Sequence, residues 1–203
     1  MDKHGVGAKT FLHVHSALNV EKQMRIQKDD TLALVIDIQE KLFPHMSQKE
    51  ELLTNSLKLI KGLQLLEIPF IVNEQYPKGI GHTIEPIREL LKEQKVYEKF
   101  SFSCCKTDDT LQTIQSNKKK FIIVFGIETH VCVMQSVIDL LEAGFTPVLV
   151  TDCVSSRNPY NKEIALLRMQ QEGAILSTCE SLLFELCVNS KNKVFKEISK
   201  LVK

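Results

Sequence analysis

The chain has 203 residues, of which 43% are hydrophobic and 25% are charged, and its formal net charge is +1. These values are typical of a single globular domain that is long enough to bury a full core. The near-neutral charge does not favour nucleic acid or an anionic membrane surface as a partner. No apolar run approaches the roughly 18–20 residues that a membrane-spanning helix needs. We therefore expect neither nucleic acid nor a membrane as a partner.

The six cysteines predict a reducing compartment. They show no C-x-x-C pairing and no disulfide spacing, and no secretory signal peptide precedes them. The cytoplasm is the expected location, because disulfides are rare there. Three of the thiols are interpreted as small buried apolar groups: Cys153, Cys179 and Cys187. Cys104 and Cys105 stay open as site residues, because they follow Lys99 closely.

The first 29 residues differ from the rest of the chain. They are polar and lack clear periodicity, so residues 1–29 are predicted to be a flexible extension and residues 30–203 the folded domain. The alternative is a mitochondrial presequence, which would be rich in arginine and poor in acids. Arg25 is the only arginine in this segment, which also contains Asp2 and Glu21, so the sequence favours the cytoplasm.

From residue 30 onward, short apolar runs alternate with helical patterns. In chain order the pattern predicts a strand at 31–37, a helix opened by a capping box from Ser47 to Glu50, a strand at 70–73, a helix at 85–92, a strand at 96–98, a helix at 107–116, a strand at 121–125, a helix at 130–143, a strand at 147–150, a helix at 162–172, a strand at 174–176, and helices at 180–186 and 194–202.

This alternation predicts an α/β fold in which helices cover both faces of a parallel sheet. We expect a three-layer αβα sandwich with six strands in the order 3-2-1-4-5-6, as in Rossmann-like folds. Sites in such sheets form beyond the carboxyl ends of the strands, where the strand order reverses. Asp37 ends strand one, Lys99 follows strand three and Cys132 follows strand four. The topology therefore predicts that these three residues share one crevice.

The three residues are the types that acyl transfer requires. Cys132 falls in the first turn of a predicted helix, where the helix dipole favours the thiolate that acts as nucleophile. Asp37 would accept the thiol proton and later give it to the leaving amine, and Lys99 would stabilise both anions. Each residue alone has an ordinary interpretation as a cap, an exposed ion pair or a packed thiol. Their convergence at one sheet edge favours a catalytic site.

The segments around these residues, 34–39, 98–102 and 121–132, resemble the signatures of the isochorismatase-like cysteine hydrolases, which include nicotinamidases and related amidohydrolases. The resemblance covers about residues 30–203. It implies hydrolysis of a small amide or related acyl substrate by a Cys-Asp-Lys triad through a thioester. It also implies a cis peptide bond between Ile127 and Glu128 and an oxyanion hole formed by the N–H groups of Glu128 and Cys132.

Two alternatives remain open within the same family. One is hydrolysis of a vinyl ether by proton donation from Asp37, which needs no cysteine. The other is a protein-interaction module with an idle site. Family members commonly form dimers or larger rings, so a homo-oligomer is expected, with the helix at 131–141 and the C-terminal helix as plausible contact surfaces.

The segment after strand two predicts the absence of a catalytic metal. Metal-dependent nicotinamidases carry Asp-x-His and further histidines there, whereas this chain has Asn73-x-Gln75 and a lone His82. One amide pair and one distant histidine would not hold zinc or iron. We therefore expect no metal and no other cofactor, and a substrate other than nicotinamide. The segment at 74–79 and the tail at 195–202 resemble eukaryotic isochorismatase domain-containing proteins.

Three residues near the strand ends are candidates for substrate binding. Gln75 and Tyr76 follow strand two, where the alternative is a simple turn before Pro77. Arg157 follows strand five and could bind a substrate carboxylate in a bidentate manner, although a salt bridge within the protein or to another subunit is an equal alternative. His130 lies two residues before Cys132, where it either tunes the thiol or caps a helix.

Overall fold

The computed structural model of the protein describes residues 25–203, and one six-stranded sheet lies at its centre. In chain order the strands are β1 (Thr31–Ile36), β2 (Phe70–Gln75), β3 (Val96–Lys99), β4 (Phe121–Ile127), β5 (Thr146–Ser155) and β6 (Ile175–Ser177). All neighbours pair in parallel, in the order β3-β2-β1-β4-β5-β6. The predicted α/β class, parallel sheet and strand order are confirmed.

The two central strands explain why the sequence folds in this way. Every residue of β1 and of β4 is buried, because parallel strands in such sheets are covered on both faces and read as continuous apolar runs. The two strands lie side by side, with Ile36 opposite Gly126. Gly126 has φ +132°, and a Cβ atom there would overlap the backbone carbonyl of Ile36. Glycine is therefore required where the two strands end together at the site.

Helices cover the sheet in two groups. They are α1 (Lys49–Leu65), α2 (Pro77–Ile80), α3 (Glu85–Leu90), α4 (Asp108–Ser116), α5 (Met134–Glu142), α6 (Pro159–Glu172), α7 (Cys179–Cys187) and α8 (Phe195–Val202). Helix α1 packs against α3, α7 and α8, whereas α5 packs against α6, and both α1 and α5 contact β5. The helices thus flank the sheet, as the three-layer prediction requires.

The predicted capping box at the start of α1 is wrong. The residue before the helix is Gln48, which has φ +51° and makes no capping hydrogen bond with its side chain. The N–H of Ser47 donates to the carbonyl of Ser156 at 3.1 Å, and the carbonyl of Ser47 accepts from the Ser155 hydroxyl at 2.6 Å. Ser47 therefore ties the start of α1 to the end of β5 instead of capping its own helix.

The start of α6 also differs from the prediction. The helix begins at Pro159 instead of residue 162, because the Asn158 side chain accepts a hydrogen bond from the N–H of Tyr160 at 2.9 Å. Proline at the first helical position fits this start, since its missing N–H would have no partner there.

The predicted N-terminal extension falls mostly outside the described residues, which exclude residues 1–24 and with them Asp2 and Glu21. Its flexibility and its targeting role stay predictions. Ile26 is buried, and its N–H donates to the Glu185 carboxylate at 2.9 Å. Within residues 25–203, no helix is both long and apolar enough to cross a membrane.

Candidate active site

The three residues predicted to share a crevice lie together at the carboxyl edge of the sheet. Asp37 comes directly after β1, and Lys99 is the last residue of β3. The Lys99 ammonium donates to Asp37 Oδ2 at 2.6 Å, and both side chains are fully buried. The Cys132 thiol lies close enough to the pair to affect the pKa of both groups. The edge at β1 and β4 therefore holds one thiol, one carboxylate and one ammonium.

The backbone around Asp37 turns sharply to aim its carboxylate into the crevice. Asp37 has φ +51°, a conformation that Asp tolerates better than most residues. Its N–H donates to the carbonyl of Asn73 at 3.1 Å, and its carbonyl accepts from the N–H of Gln39 at 2.7 Å. These bonds fix the carboxylate at the end of β1.

Lys99 is held by more than its ion pair. Its ammonium also donates to Gln75 Oε1 at 2.7 Å, to the carbonyl of Phe102 at 3.0 Å and to the carbonyl of Ser101 at 3.3 Å. Burial lowers the pKa of Lys99, but Asp37 raises it, and the net direction is upward. Lys99 therefore stays charged. A buried cation is tolerated when it is paired with an anion and hydrogen-bonded, as it is here.

Gln75 positions Lys99 with its side chain, and its role in substrate binding stays a prediction. Its amide oxygen accepts from Lys99, and its amide nitrogen donates to the carbonyl of Phe100 at 2.7 Å. Its backbone is held by Gln39, which accepts from the Gln75 N–H at 2.7 Å and donates to the Gln75 carbonyl at 3.0 Å. Sequence reasoning missed Gln39. Its position two residues after Asp37 was the only available signal.

Tyr76 is half-exposed and is joined to Lys99 through its backbone. Its N–H donates to the carbonyl of Lys99 at 2.9 Å. Its half-exposed ring packs against the exposed ring of Phe100, with the centroids 5.6 Å apart. Phe102, also exposed, follows in the same loop. Sequence reasoning named Tyr76 but neither phenylalanine.

Cys132 lies in a π-helical turn (Thr129–Val133) that precedes α5, not in the first turn of an α-helix as predicted. The N–H groups of Val131 and Val133 both donate to the carbonyl of Glu128, at 3.0 and 3.3 Å. The peptide bond between Ile127 and Glu128 is cis, as the family resemblance implies.

Burial decides the protonation state of Cys132. The residue is 6% exposed, and burial together with the Asp37 charge raises the pKa of its thiol to about 12, while Lys99 lowers it. This direction is opposite to that of the predicted preformed thiolate, because loss of water and the Asp37 charge outweigh the cation. The thiolate stays a prediction. Burial also raises the pKa of Asp37, against the opposing effect of Lys99. The resting site holds a thiol beside a carboxyl group of raised pKa.

Cys104 is buried and is linked to the backbone of Cys132 through the hydroxyl of Ser136. Its N–H donates to the Ser136 hydroxyl at 2.9 Å, and that hydroxyl donates to the carbonyl of Cys132 at 2.7 Å. Burial raises the pKa of Cys104 well above its ordinary value and that of Cys105 to about 12. Both residues are therefore neutral thiols at physiological pH. The hydroxyl of Ser136, which sequence reasoning missed, joins the backbone of Cys104 to that of Cys132.

Arg157 was predicted either to bind a substrate carboxylate or to form a salt bridge within the protein, and the structure shows the salt bridge. Its backbone N–H and its Nε both donate to Glu128 Oε2, each at 3.1 Å. The Glu128 side chain is largely buried and that of Arg157 mostly exposed. His130 lies on the same side, with Nδ1 2.9 Å from the Ser156 hydroxyl. These contacts brace the turn that carries the nucleophile.

The segment that holds metal ligands in nicotinamidases is used here for internal bonding. The Asn73 amide donates to the Thr110 hydroxyl at 3.4 Å, and His82 Nδ1 lies 3.0 Å from Glu74 Oε2. In the described part of the chain, no group of three or more His, Cys, Asp or Glu side chains is placed to hold a metal ion. The expectation of a metal-free site stays a prediction.

Known proteins match the chain over most of its length. The family model of the isochorismatase domain matches residues 31–181. Isochorismatase family protein 1A of Dictyostelium discoideum is 40% identical over 181 residues, which cover 85% of this chain and 86% of that protein. Isochorismatase domain-containing protein 2 of Danio rerio is 34% identical over 183 residues and covers 88% and 89% of the two chains. A solved Caenorhabditis elegans structure, described as MAR1 ribonuclease, is 40% identical with a TM-score of 0.83 and covers 88% and 92%.

Proposed function

The chain belongs to the isochorismatase family of hydrolases, and from that premise we propose that it is a metal-independent cysteine hydrolase of a small amide or related acyl substrate. The observation that carries the proposal is the fully buried ion pair between Lys99 and Asp37, at 2.6 Å, beside the thiol of Cys132. Nucleophile, base and cation are the parts that acyl transfer needs.

The first half of the reaction forms a thioester. The Cys132 sulfur attacks the carbonyl carbon while its proton passes to Asp37. Asp37 Oδ2 is occupied by Lys99, but Oδ1 accepts no hydrogen bond of standard geometry within residues 25–203, so it is the atom assigned to receive the proton. The C–N bond then breaks, and Asp37 gives this proton to the departing amine.

The second half returns the enzyme to its resting state. Asp37 takes a proton from water, the resulting hydroxide attacks the thioester carbonyl, and the C–S bond breaks. The proton returns from Asp37 to the sulfur of Cys132, and the acid leaves. Because burial raises the pKa of Asp37, its carboxylate is a stronger base than an exposed one.

The N–H groups of Glu128 and Cys132 are assigned to the oxyanion. The support is the bracing of this turn, in which the Glu128 carbonyl accepts from Val131 and Val133, and the Glu128 side chain accepts from Arg157. Donors that are fixed in advance stabilise the developing charge without reorganisation. Tyr76 and the outer guanidinium nitrogens of Arg157 are left as groups that can contact the substrate.

The test combines substituted enzymes with mass spectrometry. Wild type is incubated with a panel of small amides and other acyl compounds, and product acid and intact protein mass are followed. Cys132→Ala and Asp37→Asn are expected to abolish turnover, and wild type is expected to gain the mass of the acyl group on Cys132. Cys104→Ala, which removes a neighbouring buried thiol, is the matched control and should keep its activity. A Cys132→Ala variant as active as wild type would refute the proposal.

One observation favours a second candidate, the hydrolysis of a vinyl ether. Because burial raises the pKa of Asp37, its protonated form, which is the form that donates a proton, is more accessible than in an exposed carboxyl group. In that reaction Cys132→Ala stays active and Asp37→Asn does not, so the same variants separate the two mechanisms. If wild type turns over no compound of the panel, the alternative of a protein-interaction module with an idle site gains support.

The Caenorhabditis elegans relative adds ribonuclease to the activities that should be assayed. We propose that this chain acts on a small molecule and not on nucleic acid, because its net charge is +1 and the cation at the site is buried in an ion pair. Single-stranded RNA should stay intact in the presence of wild type. RNA cleavage that disappears in Cys132→Ala would contradict this part of the proposal.

We also propose a cytoplasmic location, with mitochondria as the alternative, and assembly into a homo-oligomer. The location rests on the free cysteines of the described chain, all of which are buried. Fractionation of cells that carry the full chain tests it, and recovery with mitochondria would contradict it.

A further inference from the structure

The outer face of α6 carries an apolar stripe that nothing in residues 25–203 covers. Tyr160, Ile164 and Leu167 are 65%, 46% and 50% exposed. They recur at spacings of four and three residues, which places them on one side of a helix, and the buried residues Ala165 and Met169 lie on the other. The stripe therefore points straight away from the domain.

The spacing of this stripe matches the seam of a coiled coil. Tyr160, Ile164 and Leu167 take the d, a and d positions of a heptad, and the exposed Gln171 takes the next a position. A β-branched residue at a with leucine at d is the combination that favours two parallel helices. The stripe is thus suited to one partner helix that runs in the same direction.

The charges beside the stripe identify that partner. Glu163 falls at g and Arg168 at e, and both side chains are exposed. In a parallel pair, the g residue of one helix faces the e residue five positions further along the other. Glu163 would therefore meet Arg168 of a second copy, and the two-fold symmetry would create this ion pair twice. On one helix the two residues lie about 140° apart and do not pair with each other. Within α6, Arg168 Nε lies 3.9 Å from the exposed Glu172 carboxylate, a weak surface contact that leaves the outer guanidinium nitrogens for Glu163 of a second copy.

We propose that α6 is a self-association surface on which a second copy of this chain packs its own α6 in parallel, around a two-fold axis. Because the flanking charges complement themselves, a second copy fits this face better than an unrelated helix does. An antiparallel pair would bring Glu163 beside Glu163 and Arg168 beside Arg168, which is repulsive.

This arrangement has a consequence for the active site. Helix α6 packs against the turn that carries Cys132, and it begins two residues after Arg157. Parallel pairing of α6 would place the active-site edges of both copies on the same side of the dimer. The proposal does not depend on which reaction the site performs.

The first test measures the mass of the full-length protein by light scattering and sedimentation across a concentration series. Wild type is expected to form a dimer or a multiple of dimers. Ile164→Glu, a change at an exposed position, should leave the circular dichroism spectrum unchanged and raise the dissociation constant at least about tenfold. Leu65→Glu, on the exposed side of α1, is the matched control and should leave it unchanged. A monomeric wild type, or a dimer that tolerates Ile164→Glu, overturns the proposal.

The second test fixes the direction of pairing by reversing charges. Glu163→Arg and Arg168→Glu should each raise the dissociation constant about tenfold or more, because each places like charges opposite each other. The double variant restores opposite charges and should recover dimerisation. In an antiparallel dimer the double variant would not dimerise more tightly than either single variant. That result would refute the parallel arrangement.

The third test identifies the occupant of the stripe covalently. In a parallel pair, position 167 of one copy faces position 167 of the other, so Leu167→Cys should form an intermolecular disulfide with oxidised glutathione as the oxidant. The six native cysteines are buried and give a low background. Absence of a covalent dimer under these conditions, while Leu167→Cys remains oligomeric, would overturn the proposal.

Discussion

The resting protonation state of Cys132 leads to a quantitative prediction. Its pKa of about 12, against an ordinary 9.0, leaves about 10⁻⁴ of the thiol ionised at pH 8, compared with about 10⁻¹ for the ordinary group. A more basic thiolate is more nucleophilic, which recovers a factor of about 20. Alkylation of Cys132 should therefore be about 50-fold slower than that of an unperturbed cysteine, before any steric hindrance.

Two substitutions test the causes of this shift. Asp37→Asn removes the negative charge that raises the pKa of Cys132, so alkylation at a given pH should become faster. Lys99→Met removes the cation that lowers this pKa, so alkylation should become slower. The assay follows each cysteine-containing peptide by mass spectrometry after timed exposure to iodoacetamide between about pH 7 and pH 10, a window in which an ordinary thiol passes through its pKa and a thiol with a pKa of about 12 does not. The urea-denatured chain supplies the unperturbed rate.

The shape of the pH profile decides between the two protonation states. A resting thiol gives a rate that still rises tenfold per pH unit at pH 10. A rate that levels off below pH 8, and that falls when Lys99 is replaced, would show a preformed thiolate. That result would refute the assignment of Asp37 as the base that deprotonates the nucleophile.

Three further substitutions test how the site is held. Lys99→Met strands the buried Asp37 carboxylate and should lower the free energy of unfolding in urea by about 3–5 kcal/mol, and adding Asp37→Asn should recover much of this loss. Gly126→Ala should prevent soluble folding or cost more than about 3 kcal/mol, since its Cβ would overlap the β1 backbone at a positive φ. Ser136→Ala should cost about 1–3 kcal/mol, because the hydroxyl bonded to the Cys132 carbonyl is lost.

Each of these has a control or a contrary outcome. Gly144 also has a positive φ but open space around it, so Gly144→Ala should cost far less than Gly126→Ala. A double variant at Asp37 and Lys99 that is no more stable than Lys99→Met would show that the stranded charge is not the cause. Unchanged unfolding of Ser136→Ala would show that its hydrogen bonds add nothing to stability.

The architecture could be predicted because its signals are local and repeated. The central strands β1 and β4 are short apolar runs, because a parallel strand that is buried on both faces carries apolar residues on both. Placing Asp37, Lys99 and Cys132 at one edge then needed only the rule that sites form at the carboxyl ends of such strands. The resemblance to isochorismatase domain-containing proteins, made from the motifs, is confirmed by relatives in Dictyostelium discoideum and Danio rerio.

The errors share a physical cause, which is competition from residues distant in sequence. Ser47 matched a capping box, but its backbone is bonded to residues 155 and 156 at the end of β5. Gln75 was named as a substrate-binding candidate, with a turn as the alternative, and neither interpretation included its bonds to Lys99 and to the Phe100 carbonyl. Local patterns predict the structure that a segment prefers in isolation. They do not show which residues from distant parts of the chain form hydrogen bonds with it.

The stripe on α6 is a different kind of omission. The pattern predicted a helix at 162–172, and the exposed face at Tyr160, Ile164 and Leu167 had no role in the sequence interpretation. The helices proposed there for oligomer contacts, at residues 131–141 and at the C-terminus, place Val137, Leu140 and Ile198 in the core. Which apolar residues remain outside is known only after the core has been assigned.

Because the pKa of Cys132 is raised, a slow alkylation rate is not evidence that the site is inactive. A preformed thiolate would react with any alkylating agent and with peroxides, whereas a buried thiol beside Asp37 resists both. In the proposed mechanism its proton moves when a carbonyl carbon lies against the sulfur and the oxyanion donors are engaged. Slow alkylation therefore does not distinguish an idle site from a working one. Only an acyl substrate can do so, by leaving its acyl group on Cys132 in wild type and not in Asp37→Asn.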